Sequence, residues 1–456
     1  MREHALGALA ALVPAAALAG TPGQVDSGDT ALVLVSAGLV LLMTPGLAFF
    51  YGGLVRAKNV VHTMILSLVC MALVGVLWCL FTYSLSFSPG PGFVDHFIGG
   101  LSFVGLSGVG GEVAKDLAPT VPHAAFMLFQ AMFAVITPAL ISGAVVERVR
   151  VKAFVLFVAL WSIAVYAPVA HWVWAPGGWL KVRGALDFAG GTVVHINAAI
   201  AALVFALVLG RRRGLHQPSV LPHNVPFAIL GAGLLWFGWL GFNGGSALAA
   251  NGLAAYAFSN TFFAPAAAAL TWGLAELFFF HGKMSGVGLA SGAVAGLVAV
   301  TPAAGFITPL ASVGLGVLAG AASLIAVRYR PRLGLDDSLD VFAVHGVAAT
   351  VGALLTGVLA SKAVNPDGAD GSLAQLGIQA LGVLATYVWS GGLSYLIIKL
   401  VARLTPLRAD EQDEWTGMDM SESGERGYIM ADEASAGPSS AFSAPSFASL
   451  TGTRPE

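Results

Sequence analysis

The chain has 456 residues, of which 57% are apolar and 10% charged; its formal net charge is −2 and its mean hydropathy is +0.81. A soluble domain carries about 25% charged residues, so this composition excludes a water-soluble globule and leaves a polytopic membrane protein. The near-neutral charge identifies no partner, and the two cysteines, Cys70 and Cys79, have no metal or redox spacing and read as small apolar core residues.

In chain order, Met1-Arg2, Ala5–Val13 and Ala17-Leu18-Ala19 form a positive start, a short apolar stretch and a small-x-small end. That is the pattern of a secretory signal peptide over residues 1–19, with cleavage after Ala19. Runs of about 20 apolar residues then predict eleven transmembrane helices, near 30–52, 60–87, 122–146, 153–174, 188–210, 225–244, 253–275, 284–301, 306–327, 341–361 and 373–403. The main long connection is 88–121, so 30–406 reads as one all-α membrane domain in the lipid bilayer. Residues 407–456 form a tail that turns acidic and then Ser/Ala/Pro-rich, with an end expected to be disordered. Fifty-seven glycines, with Gly288-x3-Gly292-x3-Gly296 and Gly316-x3-Gly320 each on one helix face, predict close helix packing.

Orientation follows from Lys and Arg placement. Loops after odd-numbered spans hold twelve: Arg56, Lys58, Arg148, Arg150, Lys152, Arg211, Arg212, Arg213, Lys283, Arg328, Arg330 and Arg332. Loops after even-numbered spans hold four: Lys115, Lys181, Arg183 and Lys362. The N-terminus is therefore expected outside and the tail in the cytoplasm, a cell-membrane topology that agrees with a cleaved signal.

Two uncharged apolar runs, Phe188–Gly210 and Val341–Ala360, each carry one histidine, His195 and His345. An ionisable ring at membrane depth is costly and marks a functional site by default. The local sequences Val194-His195-Ile196-Asn197-Ala198-Ala199 and Val344-His345-Gly346-Val347-Ala348-Ala349 echo one another, and Asp187 and Asp340 stand at the two entrances. The fifth span runs inward and the tenth outward. An echoed motif on antiparallel spans predicts an inverted five-plus-five repeat, spans 1–5 and 6–10, followed by a long eleventh helix, with the site at the midplane. A single membrane histidine can simply bond a neighbouring helix, and zinc needs three or four ligands, which are not patterned here. Paired neutral imidazoles instead offer lone pairs and N–H groups to a small hydrogen-bonding solute and can relay a proton. No metal, cofactor or nucleic-acid partner is expected, and no nucleophile stands near the histidines to suggest an enzyme.

The sixth span contains Trp239-Leu240-Gly241-Phe242-Asn243-Gly244-Gly245-Ser246, the third Phe129-Gln130-Ala131-Met132-Phe133, and the fourth ends in His171-Trp172-Val173-Trp174. Such rings are commonly interfacial belt residues. A tryptophan and a serine at a pore mouth can instead hold a small cation by cation–π attraction and an accepted hydrogen bond.

These motifs carry a resemblance. Asp187-Phe188-Ala189-Gly190-Gly191-Thr192-Val193-Val194-His195-Ile196-Asn197 resembles the signature of the ammonium transporter (Amt/MEP/Rh) family, in its Amt branch. Tyr51-Gly52-Gly53-Leu54-Val55, Phe129–Phe133, Trp239–Ser246, Val300-Thr301-Pro302 and Asp340–Gly346 match in the same order, from Thr30 to about Tyr428. The resemblance implies a homotrimer of eleven-helix subunits, each with a narrow hydrophobic pore for ammonium or ammonia, with methylammonium as an analogue. It implies Trp174, Ser246 and Phe133 as a recruitment site, Phe133 and Phe242 as a stacked gate, and His195 and His345 as a twin-histidine pore and proton relay. Asp187 supports the recruiting site and deprotonation, whereas Asp340 reads as a helix cap alone. Trp239, Gln130 and Thr301 match pore-adjacent positions. The alternatives are an ammonium sensor and an Rh-type ammonia or carbon dioxide channel, against which Trp174 and Ser246 argue. A PII-type signalling protein is an expected partner of the tail, although Gly424-Glu425-Arg426-Gly427-Tyr428 departs from the family's usual pattern.

Overall fold

A computed structural model describes residues 22–214, 221–280 and 282–428. The signal-peptide reading and the Ser/Ala/Pro-rich end of the tail lie outside them. Ten helices among the described residues are long and apolar enough to cross a membrane: α1 (Ser27–Leu54), α2 (Ala57–Phe87), α3 (His123–Val145), α4 (Val151–Val182), α5 (Gly191–Leu209), α6 (Val225–Gly245), α7 (Gly252–Phe280), α9 (Pro309–Leu333), α10 (Phe342–Leu359) and α11 (Leu373–Leu404). A shorter apolar helix, α8 (Gly286–Val300), completes the expected eleven.

The helices start where polar side chains can serve the unpaired amides of a first turn. Asp26, Asn224, Asn251, Ser285, Thr308 and Ser372 each accept from a backbone N–H two or three residues on. Thr308 with Pro309 sets the start of α9 later than the apolar run at 306 indicates. Within the long connection 88–121, Val113–Ala114 and Ala118–Pro122 pair as a short antiparallel ribbon, the two strands among the described residues. Of the two cysteines, Cys70 is buried as expected but Cys79 is exposed, because nine residues along a helix turn it to another face.

The first helices of the two halves, α1 and α6, make the most extensive helix pair and run antiparallel. Gly53 lies against Ala228, Gly231 against Phe50, Gly238 against Met43 and Gly245 against Ser36. A β-carbon on Gly231 would fall 2.2 Å from the Phe50 backbone nitrogen, which cannot move aside as a side chain end could. Gly231→Ala is therefore expected to destabilise by about 1–3 kcal/mol or more, read as a lowered melting temperature of detergent-solubilised protein; an unchanged melt contradicts the packing described. The two glycine rows expected to pack do so against a single helix. Gly292 and Gly296 of α8 and Gly316 and Gly320 of α9 all meet α7 around Ala264 and Ala268.

The arginine-bearing loops gather on one face, here the basic face, around a buried ion network. Glu147 accepts from Arg56 Nε (3.0 Å), Asn59 Nδ2 (2.9 Å) and Arg212 Nη1 (2.7 Å). Asp336 takes Arg212 Nη2 at 2.8 Å and lies 3.9 Å from Arg148 Nη1. Buried charges persist when paired in this way, and desolvation of Glu147 is overcome by Arg212 and Arg56, which hold its carboxyl down at about 2. The tail packs on this face. Arg150 pairs with Asp413 and Glu422, Lys58 Nζ donates to the Glu414 and Trp415 carbonyls, and Asp419 Oδ1 accepts the His62 amide.

Candidate functional site

Two of these helices begin with a wider, π-helical segment, and both carry a signature histidine. Gly191–Ile196 opens α5 and holds His195; Phe342–Val347 opens α10 and holds His345. Such segments frequently occur at functional sites. At the head of the first, Gly190 takes φ +110°, a conformation that L side chains rarely adopt. The turn brings four successive amides onto one carboxylate: Gly190 and Gly191 donate to Asp187 Oδ1 at 3.0 and 2.6 Å, and Thr192 and Val193 to Oδ2 at 2.8 and 3.1 Å. Asp187 is thus the anchor of this end of α5, more than a single cap.

The matching expectation for Asp340 does not hold. The α10 entrance is served by Asp337, whose Oδ2 accepts the Phe342 amide at 2.7 Å. Asp340 sits at φ +59° and pairs with Arg330 Nη1 at 3.0 Å. The signal was available in the spacing: Asp337 precedes His345 by the same eight residues that separate Asp187 from His195.

The two imidazoles meet inside the protein. His195 and His345 are 1% and 2% exposed, and their Nδ1 atoms lie 3.4 Å apart in rings tilted by 21°. His195 Nε2 has no hydrogen-bond partner. Trp239 stacks on His195 with centroids 5.1 Å apart, and its Nε1 donates to Thr301 Oγ1 at 2.8 Å, which in turn donates to the Leu297 carbonyl. Two of the expected pore-adjacent residues therefore act together: Thr301 fixes Trp239, and Trp239 stacks on the plane of His195.

A chain of rings leads away from the histidines. Phe242 is 6.0 Å from His195, Phe133 and Phe242 lie 4.2 Å apart, and Trp174 meets Phe133 edge-on at 5.8 Å. Both phenylalanines are fully buried. Beyond them, on the face opposite the basic loops, a cavity of about 570 Å³ is lined by Trp174, Ser246, Gln130 and Asp187. Trp174 Nε1 is held by the Asp187 carbonyl at 3.0 Å, which fixes its ring against the cavity. Ser246 Oγ donates to the Phe242 carbonyl at 2.8 Å, which leaves its lone pairs as acceptors. Gln130 Oε1 is a second acceptor, buried without a hydrogen-bond partner. On the basic side, a cavity of about 560 Å³ reaches Val344, the neighbour of His345. His171, by contrast, is structural, its ring nitrogens bonded to the Ser86 and Asp95 carbonyls.

Trp174, Ser246, Gln130 and Asp187 thus line the outer cavity, and Phe133, Phe242, His195, His345, Trp239 and Thr301 adjoin one another in a file leading away from it. Missed were the π-helical segments, Asp337 and the buried ion network.

Comparison with known proteins places the chain in a family. A model of the Ammonium Transporter Family matches residues 31–428. The chain is 48% identical to an ammonium transporter of Bacillus subtilis (strain 168) over 406 residues, covering 88% of this chain and 98% of that one. Its structure superposes on Saccharomyces cerevisiae Mep2 with a TM-score of 0.79 at 35% identity, covering 86% of this chain and 89% of the other. It matches a structure described as a sensor Amt protein equally well, with a TM-score of 0.79 at 30% identity, covering 87% and 98%. The chain belongs to the ammonium transporter family.

Proposed function

We propose that this protein carries ammonium across a membrane by holding the cation in the outer cavity, removing its proton, and passing ammonia between the phenylalanines and along the two histidines. The observation that carries this reading is the line of rings, Trp174, Phe133, Phe242, His195 and His345, that runs from the outer cavity to within one residue of Val344, which lines the inner one. The basic face is taken as cytoplasmic, following the positive-inside rule.

Ammonium and potassium have the same charge and similar size, so a sieve cannot separate them. Hydrogen bonding can. Ammonium entering the outer cavity exchanges water for Ser246 Oγ and the buried Gln130 Oε1, with Trp174 offering a ring face; potassium has no N–H donors for those acceptors. Beyond Phe133 the path is walled by rings, and an intact cation there costs several kcal/mol or more. Loss of the proton removes that cost: the N–H bond breaks toward water of the outer cavity, and the proton then passes to His195 and on to His345, whose Nδ1 atoms are 3.4 Å apart. Neutral ammonia, with three N–H donors and one lone pair, can then exchange hydrogen bonds with His195 Nε2 and His345 as it moves.

The reading extends to a homotrimer, which rests on the family resemblance, and to a PII-type protein at the cytoplasmic face, where the docked tail supplies a surface. A sensing role beside transport is favoured by one observation, the likeness to a structure described as a sensor Amt protein. An Rh-type channel is disfavoured by Trp174 and Ser246.

The test is Trp174→Leu with Ser246→Ala in proteoliposomes. A cation–π contact of about 0.5–2 kcal/mol and a hydrogen bond to a charged group of about 1.5–3 kcal/mol are lost. Half-saturation for ammonium is expected to rise at least about tenfold, with a smaller change in maximal flux. Unchanged half-saturation removes the recruitment site from the account.

A further inference from the structure

The two halves of the repeat treat their aspartates differently. Asp187 is consumed by four amides, and Asp337 serves the α10 entrance. Asp340 has no such task, yet it is held at φ +59°, one of four non-glycine residues with positive φ among those described. That conformation costs energy and persists only where the surroundings enforce it, most often at functional sites. Its side chain, about a quarter exposed, lines the inner cavity together with Val344, the residue before His345. Asp340 is held by one ion pair, to Arg330 Nη1 at 3.0 Å, whereas the other carboxylates around that cavity are each held by several donors. Glu147 is taken by Arg56, Asn59 and Arg212, and Glu276 by Trp272 Nε1 and the Ser285 amide and hydroxyl.

We propose that Asp340 is the group through which the proton carried by His345 leaves to the inner cavity. The inference rests on the reading under Proposed function. An N–H bond of the His345 imidazolium breaks and its proton passes, through cavity water, to an Asp340 carboxylate oxygen. The O–H so formed then gives the proton to water or to emerging ammonia, whose lone pair makes the fourth N–H bond of ammonium. Val344, the residue before His345, lines the same cavity as Asp340, and water in that cavity can bridge the remaining separation.

Asp340 is suited to load and unload near neutrality. Desolvation, against the pull of Arg330, pushes its carboxyl up to about 7, with Asp337 and Asp336 reinforcing the rise and Arg212 opposing it. Glu147, Arg56 and Glu276 face it across the cavity. Below that pH the carboxyl is protonated and cannot accept, so inward current should fall as the pH on the basic face drops through about 7.

The experiment compares full-length wild type, Asp340→Asn, Asp340→Glu and Glu276→Gln in proteoliposomes on a solid-supported membrane, with ammonium chloride as the probe. Asp340→Asn should lower ammonium-elicited current at least about tenfold and flatten its dependence on inner pH, with half-saturation at the outer cavity unchanged. Asp340→Glu should restore most of the current with a displaced pH midpoint, and Glu276→Gln should stay near wild type. Wild-type current and pH profile in Asp340→Asn overturn the proposal. If the Asn variant does not fold, an undisplaced midpoint in Asp340→Glu overturns it. Wild-type ammonia flux without any current also overturns it, since no proton is then delivered. A wild type that moves neither ammonium nor ammonia sinks the transport reading instead.

Discussion

Replacing both His195 and His345 by alanine is expected to cut ammonium flux by about 10- to 100-fold, the loss of two hydrogen bonds at roughly 1 kcal/mol or more each to the permeating molecule. On the proposed route the rings supply the polar atoms that ammonia meets between Phe242 and the inner cavity, with Trp239 and Phe242 packed beside His195. Alanine at both positions leaves a wider but apolar gap beside Trp239. A water chain entering that gap would offer no selective partner, so discrimination against potassium is expected to fall along with flux. Methylammonium uptake into proteoliposomes, with and without competing potassium, reads both quantities. Unchanged uptake and unchanged selectivity would remove the pair from the mechanism.

The second large effect is structural in origin and functional in outcome. Asp187→Ala strips the acceptors from four buried amides, each costing about 1–3 kcal/mol when left unpaired. The total is comparable with the whole stability of an ordinary domain, about 5–15 kcal/mol. The π-helical head of α5 should therefore lose its shape, carrying His195 and the carbonyl that holds Trp174 out of register. A large drop in melting temperature and abolished flux are expected together. Asp187→Asn keeps one acceptor oxygen and should give an intermediate melt with strongly reduced flux. A melt and flux in Asp187→Ala within about twofold of wild type would contradict the anchoring role.

Why some features are legible from residues and others are not follows from how each is encoded. His195 and His345 stand out because a lone polar ring in an uncharged run has no bland surroundings to hide among. The inverted repeat is legible because the echoed motif falls on spans of opposite direction, and the antiparallel packing of α1 on α6 is its structural form. Phe133 and Trp174 are harder, since their ring chemistry suits a membrane belt equally well; only the family resemblance separates the readings. The π-helical segments Gly191–Ile196 and Phe342–Val347 leave no trace in hydropathy, because six residues cannot distinguish one helical period from a slightly wider one. Asp340 is misread as a cap because it is the aspartate nearest the apolar run, whereas the bonded partner, Asp337, is set by the geometry of the turn. The quartet of Arg56, Glu147, Arg212 and Asp336 joins four separate loops and is invisible to any local pattern.

One comparison bears most directly on the idea that a cation sheds its charge to cross a ring-lined path. Wild-type protein in proteoliposomes is given matched inward gradients of ammonium and of potassium in turn, and transport is followed for each. The account requires robust ammonium transport with potassium at the level of empty liposomes; potassium moving at a comparable rate would mean that intact cations pass between Phe133 and Phe242, and the account would be wrong.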